Sequence, residues 1–353
     1  MSNRYQLLTA TSMGVRLTPA NHQPVGIGNQ FTMTSTSAES NVLNVAASLG
    51  MRTKVLTRWV KDSPIAAFIK GDLRRRNIEY EGPEIEQEGP WGCRHQFNIA
   101  DTGYGLRGPR VYNDRAGEVG RGIRPEDFDL KRIFEEEGVE IVHISGLFAA
   151  MSPQTAVTCL EIAALAKQTG ARVSFDMNYR ASFWKGREQE LRRAFTEIAS
   201  RADILIGNEE DFQLALGIPG PEAGGEGLAG KIESFKRMIG AVQAAYPNAG
   251  IFATTLREVV NANQHNWGAI LLMGDAWRVA EPRPIPVLDR IGGGDGFVSG
   301  LLYGILKGWS PEDCLHFGWA TGAMAVTMIE DFATPVNEDQ VWNVWKGNAR
   351  VKR

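Results

Sequence analysis

Apolar positions along the chain recur with two periods, one of helices and one of strands. Val42, Val45, Ala46 and Leu49 fall on one helical face, with Ser37 as candidate N-cap and Gly50 as candidate C-cap. Ser63-Pro64 opens a second helix carrying Ile65, Phe68, Ile69 and Leu73 on one face. Arg4 to Thr11 and Thr53 to Thr57 read as strands. From Val139 the alternation is regular: strand Val139 to Ile144, helix Pro153 to Gln168 capped by Ser152 and closed by Gly170, strand Val173 to Asp176, a helix near Glu188 to Ala199, and strand Ile204 to Ile206. A short helix from Glu209 follows, then a Gly-rich loop at Gly217 to Gly230 and a helix carrying Ile232, Phe235, Ile239 and Val242. Strand-like runs come at Ile251 to Thr255, Ala269 to Met273 and Trp277 to Ala280. Strands alternating with helices predict an α/β fold with a mainly parallel sheet covered on both faces, which binds ligands at the carboxyl ends of its strands.

Two stretches break the pattern. The segment between Thr11 and Phe31 is rich in Gly, Pro, Asn and Gln and reads as a poor core element. Between Tyr80 and Arg115 an acidic Gly/Pro loop is followed by two strand-like pieces, Arg94 to Ala100 and Arg110 to Tyr112, which predict an inserted hairpin. Its turn, Gly103-Tyr104-Gly105-Leu106-Arg107-Gly108, matches a dinucleotide fingerprint letter for letter. That fingerprint needs a buried strand before it and a helix after it, whereas Pro109 and a second strand-like run follow here. A hairpin turn is the expectation.

The chemistry is expected at Asp289-Arg290-Ile291-Gly292-Gly293-Gly294-Asp295-Gly296-Phe297. Phe297, Val298, Leu301, Leu302, Ile305 and Leu306 recur at helical spacing, and Gly308 marks the helix end, so a helix begins at this loop. Its first amides lack intrahelical partners and sit at the positive end of the macrodipole, and glycines let such amides close around an anion. Asp295 beside that anion fits a general base for a hydroxyl that attacks a phosphoryl group. The same letters also fit a flexible glycine turn with Asp295 as a plain N-cap.

Three polar clusters stand at predicted strand ends: Asp176-Met177-Asn178-Tyr179-Arg180, Asn208-Glu209-Glu210-Asp211 and Thr255-Leu256-Arg257. Singly they read as turn formers and an N-cap pair. With Asp295 their carboxylates could instead order Mg²⁺ and its waters. The five histidines form no metal-spaced pair, and His143 in an apolar run reads as a buried, hydrogen-bonded residue.

Composition narrows the classes. At 353 residues, 43% hydrophobic and 22% charged, the chain fits one large α/β domain or two smaller ones. A net charge of -3 gives no footprint for nucleic acid. Cys93, Cys159 and Cys314 are too few and too far apart for a disulfide framework or a zinc knuckle, so a reducing compartment is expected. No signal peptide or membrane anchor is read, and a cytoplasmic protein is the expectation.

Taken together these motifs resemble the ribokinase-like (PfkB) sugar kinases, and within them the 2-keto-3-deoxygluconate kinases. Asp289 to Asp295 is similar to the family's second signature, D-[TR]-x-G-[AG]-G-D. Ala38-Glu39-Ser40-Asn41-Val42, Asp114-Arg115-Ala116, Asp176-x-Asn178-Tyr179-Arg180, Asn208-Glu209-Glu210-Asp211, Thr255-Leu256-Arg257-Glu258 and Asp331-Phe332 follow in the order of the keto-deoxy-sugar-acid branch. The resemblance implies one kinase domain over residues 1–353, a doubly wound three-layer sandwich with a small β-sheet lid from about 13–34 and 94–113. It implies Asp295 as base, with Gly292, Gly293 and Gly294 as the anion hole. It further implies Asn41, Arg115, Asn178, Arg180 and Asp331 toward the sugar acid, and Asn208, Thr255, Arg257 and Gly294 toward ATP. Asp211 would act on Mg²⁺ through water, and the helix facing Thr321 to Met328 would border ATP. Two arginines near the acceptor suit an anionic sugar, because a guanidinium grips a carboxylate with two hydrogen bonds.

Most departures from the family pattern surround the acceptor rather than the phosphates. Thr36-Ser37 stand for Gly-Gly, Thr11-Ser12 for Gly-Glu or Gly-Asp, Asn113 for a tyrosine that Tyr112 could replace, Asp211 for a glutamate, and Glu330 for a proline or small residue. The expected activity is ATP-dependent phosphorylation of a primary hydroxyl, 2-keto-3-deoxygluconate to its 6-phosphate. The alternatives are a PfkB-type kinase for another sugar or aldonic acid, and a non-catalytic nucleotide or sugar-acid binder. A homodimer or higher homo-oligomer is expected, because a small open sheet is marginal alone.

Overall fold

The computed structural model describes residues 4–220 and 228–350. Residues 221–227 of the loop expected at Gly217 to Gly230 lie outside the described residues. In chain order, β1 (Tyr5–Ala10), β2 (Gly14–Pro19) and β3 (Phe31–Thr36) precede α1 (Ala38–Ser48). Then come β4 (Thr53–Leu56), β5 (Trp59–Val60), α2 (Pro64–Arg75), β6 (Ile78–Glu81), β7 (Glu84–Ile85), β8 (Gln96–Ala100) and β9 (Val111–Asp114). β10 (Val139–Ser145) leads to α3 (Gly146–Ala149) and α4 (Pro153–Thr169), and β11 (Arg172–Asp176) to α5 (Ala181–Trp184) and α6 (Glu188–Ala199). β12 (Ile204–Ile206), α7 (Glu209–Leu216) and α8 (Leu228–Ala245) are followed by β13 (Ile251–Asn261), β14 (Gln264–Met273) and β15 (Ala276–Pro286). The chain closes with α9 (Gly293–Leu306), α10 (Pro311–Ala325) and α11 (Glu338–Trp345).

Among the described residues the main sheet has nine strands in the order β15-β14-β13-β12-β11-β10-β1-β4-β6. It is parallel from β6 to β13 and antiparallel from β13 to β15. Successive side chains point to opposite faces, so each central strand feeds two cores. Leu7, Ile141 and Ile204 pack with α1, α2, α9, α10 and α11, while Leu8, Val142 and Leu205 pack with α4, α6, α7 and α8. The result is the three-layer α/β sandwich that the alternation predicts.

A second, four-stranded sheet, β3-β2-β8-β9, stands apart from the main one. β8 and β9 are antiparallel neighbours, as expected for the inserted hairpin, and its turn closes through a bond from the Tyr104 amide to the Arg107 carbonyl. The dinucleotide reading of that turn has no helix to rest on. β2 was not legible as a core strand, yet Met13, Val15 and Arg16 are buried. His143 is buried against the Ser174 hydroxyl, and burial pushes its pKa down to about 3, so it is a neutral core histidine. No helix among the described residues is long and apolar enough to cross a membrane.

Candidate active site

The glycine run earns its composition one residue at a time. Gly292 caps α9 with φ +84°, and a Cβ there would lie 1.8 Å from the Asp331 carbonyl oxygen, so conformation and space both demand glycine. Gly293 packs under Val326 and Trp267, whereas Gly294 faces open space. With no side chain to cap them, the first amides of α9 remain available to an anion.

Asp295 lies in the first turn of α9, where Asn41 of α1 donates a 2.9 Å hydrogen bond from Nδ2 to its Oδ2. Burial, against the help of Asn41, pushes the Asp295 pKa up to about 8, and the charges of Asp176, Asp331 and Glu39 add to the rise. Asp176, at the carboxyl end of β11, is raised to about 7 by burial and by Asp211. A base with a pKa near neutrality is matched to proton transfer.

Gly294 opens on a cavity of about 290 Å³ lined also by Asp176, Asn208, Asp211, Thr255, Arg257 and Trp267. The three strand-end clusters do converge. Asn208 and Asp211 form a capping box on α7, the Asn208 oxygen accepting from the Asp211 amide and Asp211 accepting from the Asn208 amide. The other Asp211 oxygen accepts from the Tyr179 amide at 3.3 Å. Asp211 is thus tied to main chain, and Asp176, which accepts only from the Asn178 amide, is the more available carboxylate. Thr321 does not reach this cavity; its buried hydroxyl donates to Gly296 and other carbonyls, locking α10 onto α9.

On the acceptor side the altered residues pair with one another. The Thr11 hydroxyl donates to Glu39, a buried carboxyl whose pKa burial raises. Ser12 donates at 2.6 Å to Glu118, whose side chain is fully buried and also receives Arg115 Nη1 at 2.8 and 3.0 Å. The carboxylate absent from the Thr11-Ser12 position therefore arrives from Glu118. Sequence reasoning missed it, because nothing near Glu118 announces its partner. Asp331 is also engaged: Arg16 and Thr36 hold its two oxygens, and it is 1% exposed. Arg180 is exposed and donates to the Tyr179 carbonyl, and Tyr112 stands open to solvent. Among the described residues, Glu39 Oε1, Asn41 Oδ1, Arg115 Nε and Asn178 Oδ1 are buried on this side without a hydrogen-bond partner.

A family profile described as "pfkB family carbohydrate kinase" matches residues 124–333. The chain is 26% identical over 310 residues to a 5-dehydro-2-deoxygluconokinase of Clostridium perfringens, covering 86% of this chain and 82% of that one. It is 25% identical over 342 residues to a 2-dehydro-3-deoxygalactonokinase of Haloferax volcanii, covering 97% of each. Among solved structures, a 2-dehydro-3-deoxygluconokinase of Thermotoga maritima superposes with a TM-score of 0.87 at 25% identity, covering 98% of this chain and 99% of that chain. An E. coli structure in complex with ATP and Mg²⁺ shares the fold, with a TM-score of 0.75 at 16% identity, covering 97% of this chain and 99% of that chain.

Proposed function

The chain belongs to the pfkB family of carbohydrate kinases, and from that premise we propose that it transfers the γ-phosphoryl group of ATP to a primary hydroxyl of a sugar acid, 2-keto-3-deoxygluconate first among candidates. The observation that carries the substrate class is the set of unpartnered buried atoms on the acceptor side, where Asn41 bonds Asp295. Glu39 Oε1, Asn41 Oδ1 and Asn178 Oδ1 are acceptors suited to sugar hydroxyls, and Arg115 Nε is a cationic donor suited to a carboxylate. Glu118 occupies only Nη1 of Arg115, which leaves the Nε–Nη2 edge as a fork for that carboxylate. The names carried by the three relatives at 25% identity or above, from Clostridium perfringens, Haloferax volcanii and Thermotoga maritima, point the same way.

In this reading Asn41 orients Asp295, which accepts the proton of the attacking hydroxyl. The amides of Gly292 to Gly294 stabilise charge on the transferring group, and Asn208, Thr255 and Arg257 border the nucleotide. The site fits Mg²⁺, since Asp176 and Asp211 line one cavity and such ions take few protein oxygens and keep several waters. Bound Mg²⁺ would neutralise phosphate charge, with Asp176 and Asp211 holding its waters.

We read residues 1–353 as one kinase unit in which the small sheet is a lid. Its outer half exposes Phe31, Met33, Val111 and Tyr112, which supports a homodimer that covers them. Cys93, Cys159 and Cys314 are free thiols, in keeping with a cytoplasmic setting. Turnover of ATP across a panel of keto-deoxy acids, aldonic acids and neutral sugars tests the proposal. Turnover restricted to neutral sugars overturns the sugar-acid reading, and none with any acceptor favours a binding protein.

A further inference from the structure

Arg16 is a fully buried cation that stands outside the motifs but is paired with two of their carboxylates. It lies on β2 with a relative exposure of 0%, and its two terminal nitrogens form ion pairs with Asp289 and Asp331. Both partners touch the glycine turn. Asp289 uses its other oxygen to accept from the Ile291 amide at 3.0 Å, and its own amide bonds to the Val326 carbonyl at 3.2 Å. The Asp331 main-chain oxygen is the atom that leaves no room for a Cβ at Gly292. Asp331 is held a second time, by the Thr36 hydroxyl of β3 at 2.7 Å. Two adjoining strands of the small sheet thus hold the start of the phosphate turn, at Asp289, and the Asp331 segment that packs against Gly292. Around this knot stand Arg76, the C-cap of α2, whose guanidinium lies 3.7 Å from the Phe332 ring centre, and Asp295 of α9, whose carboxyl feels the Asp331 charge.

Burying one cation between two carboxylates is a poor route to stability, since desolvation can match or exceed the Coulombic gain. Such an arrangement is better explained by geometry that it fixes. We propose that Arg16 is a positioning residue that clamps the inner end of the small sheet to the glycine turn, so that the Gly292–Gly294 amides and Asp295 are aimed before any substrate arrives. A consequence is that the inner ends of β2 and β3 move with the turn. Only the outer part, from Pro19 to Phe31 and through β8 and β9, is left to swing over an acceptor.

This inference rests on the phosphoryl-transfer reading of Asp295, and the experiment separates the two. Arg16→Met and Arg16→Lys are compared with wild type and Asp295→Asn for folding by circular dichroism, for kcat and both KM values, and for hydrogen exchange across 289–295. Misplacement of catalytic groups by about 1 Å costs on the order of 100-fold in rate. Arg16→Met is therefore expected to lose about that much kcat, with either KM changed by less than about threefold, and with faster exchange across the turn. Arg16→Lys, which keeps the charge and can hold one carboxylate, recovers part of the loss. Should Arg16→Met fail to fold, Arg16→Lys decides: lowered kcat at unchanged KM supports the clamp. Wild-type kcat in a folded variant, or a loss confined to KM, overturns it. Full activity of Asp295→Asn overturns the underlying reading instead.

Discussion

The two walls of the cleft satisfy their polar groups in different ways. On the nucleotide side the bonds are local: Asn208 and Asp211 cap their own helix three residues apart, Asp176 takes the amide two residues on, and the glycine amides wait unpaired. On the acceptor side the groups are joined across the fold, Ser12 to Glu118 and Thr36 to Asp331 over 106 and 295 residues of sequence. A wall of local bonds can bind any triphosphate by main chain and helix dipole. A wall of long-range pairs fixes one arrangement of side chains, so a change at one position must be answered at another. Thr11 with Glu39 and Ser12 with Glu118 are such answered changes.

The contrast is sharpest at the base. Asp295→Asn is expected to lower kcat by about 100- to 10,000-fold while nucleotide affinity, read by calorimetry, stays within about twofold. Retained turnover would move the chemistry off this wall altogether.

On the other wall, Arg115→Ala leaves Glu118 buried without its cation and removes the fork. Binding of an acidic acceptor should weaken by about 2 to 5 kcal/mol, and that of a neutral one far less. Arg180→Ala, at an exposed position, should cost about 1 kcal/mol or less. Equal losses for both acceptor classes would show that the arginines serve shape rather than charge.

The walls also meet electrostatically. With its pKa near 8, Asp295 must lose a proton to act, so kcat/KM should rise as pH increases from 6 toward 8. Asp176→Asn removes a charge that raises that pKa, and should carry the acid limb to lower pH. A limb that stays in place would remove Asp176 from the neighbourhood of the base.

A further effect is on stability. A carboxyl whose folded pKa lies above its unfolded value binds its proton more tightly when folded, so stability is lost as pH rises from the unfolded pKa through the folded one. Asp295→Asn escapes that loss. Its Tm should therefore exceed that of wild type by an amount that grows between pH 5 and pH 9, and a constant difference would count against the raised pKa.

The same division decides what could be read from the letters. α6 and β12 lie at the bounds that periodicity gave, because each buries a face defined by its own neighbours. β13 runs on to Asn261, past the expected end at Thr255, since its outer half is exposed and carries no apolar run. The nucleotide side was legible where a strand end meets a local turn or cap, at Asp176 and at Asn208, whereas Thr255 and Arg257 stand inside β13. β2 was not: the burial of Arg16 makes sense only with Asp289 and Asp331, 273 and 315 residues away. Glu118 was hidden likewise, and Asp331, expected toward the sugar, spends its carboxylate on that same long-range knot.

Trp267 gives the nucleotide wall an optical property of its own. Its indole is buried, lines the cavity, and would meet a Cβ placed on either Gly293 or Gly322. It exchanges hydrogen bonds with Trp319, each ring nitrogen donating to the other's carbonyl at 3.2 and 2.7 Å. The ring is therefore held at a fixed orientation to the α9 N-terminus, where the positive end of a helix dipole meets an incoming polyanion. Neutralising that end changes the electric field across the indole, and the field sets its emission wavelength. Nucleotide binding at the glycine turn is therefore expected to shift the protein's fluorescence, and Trp267→Phe to abolish that shift.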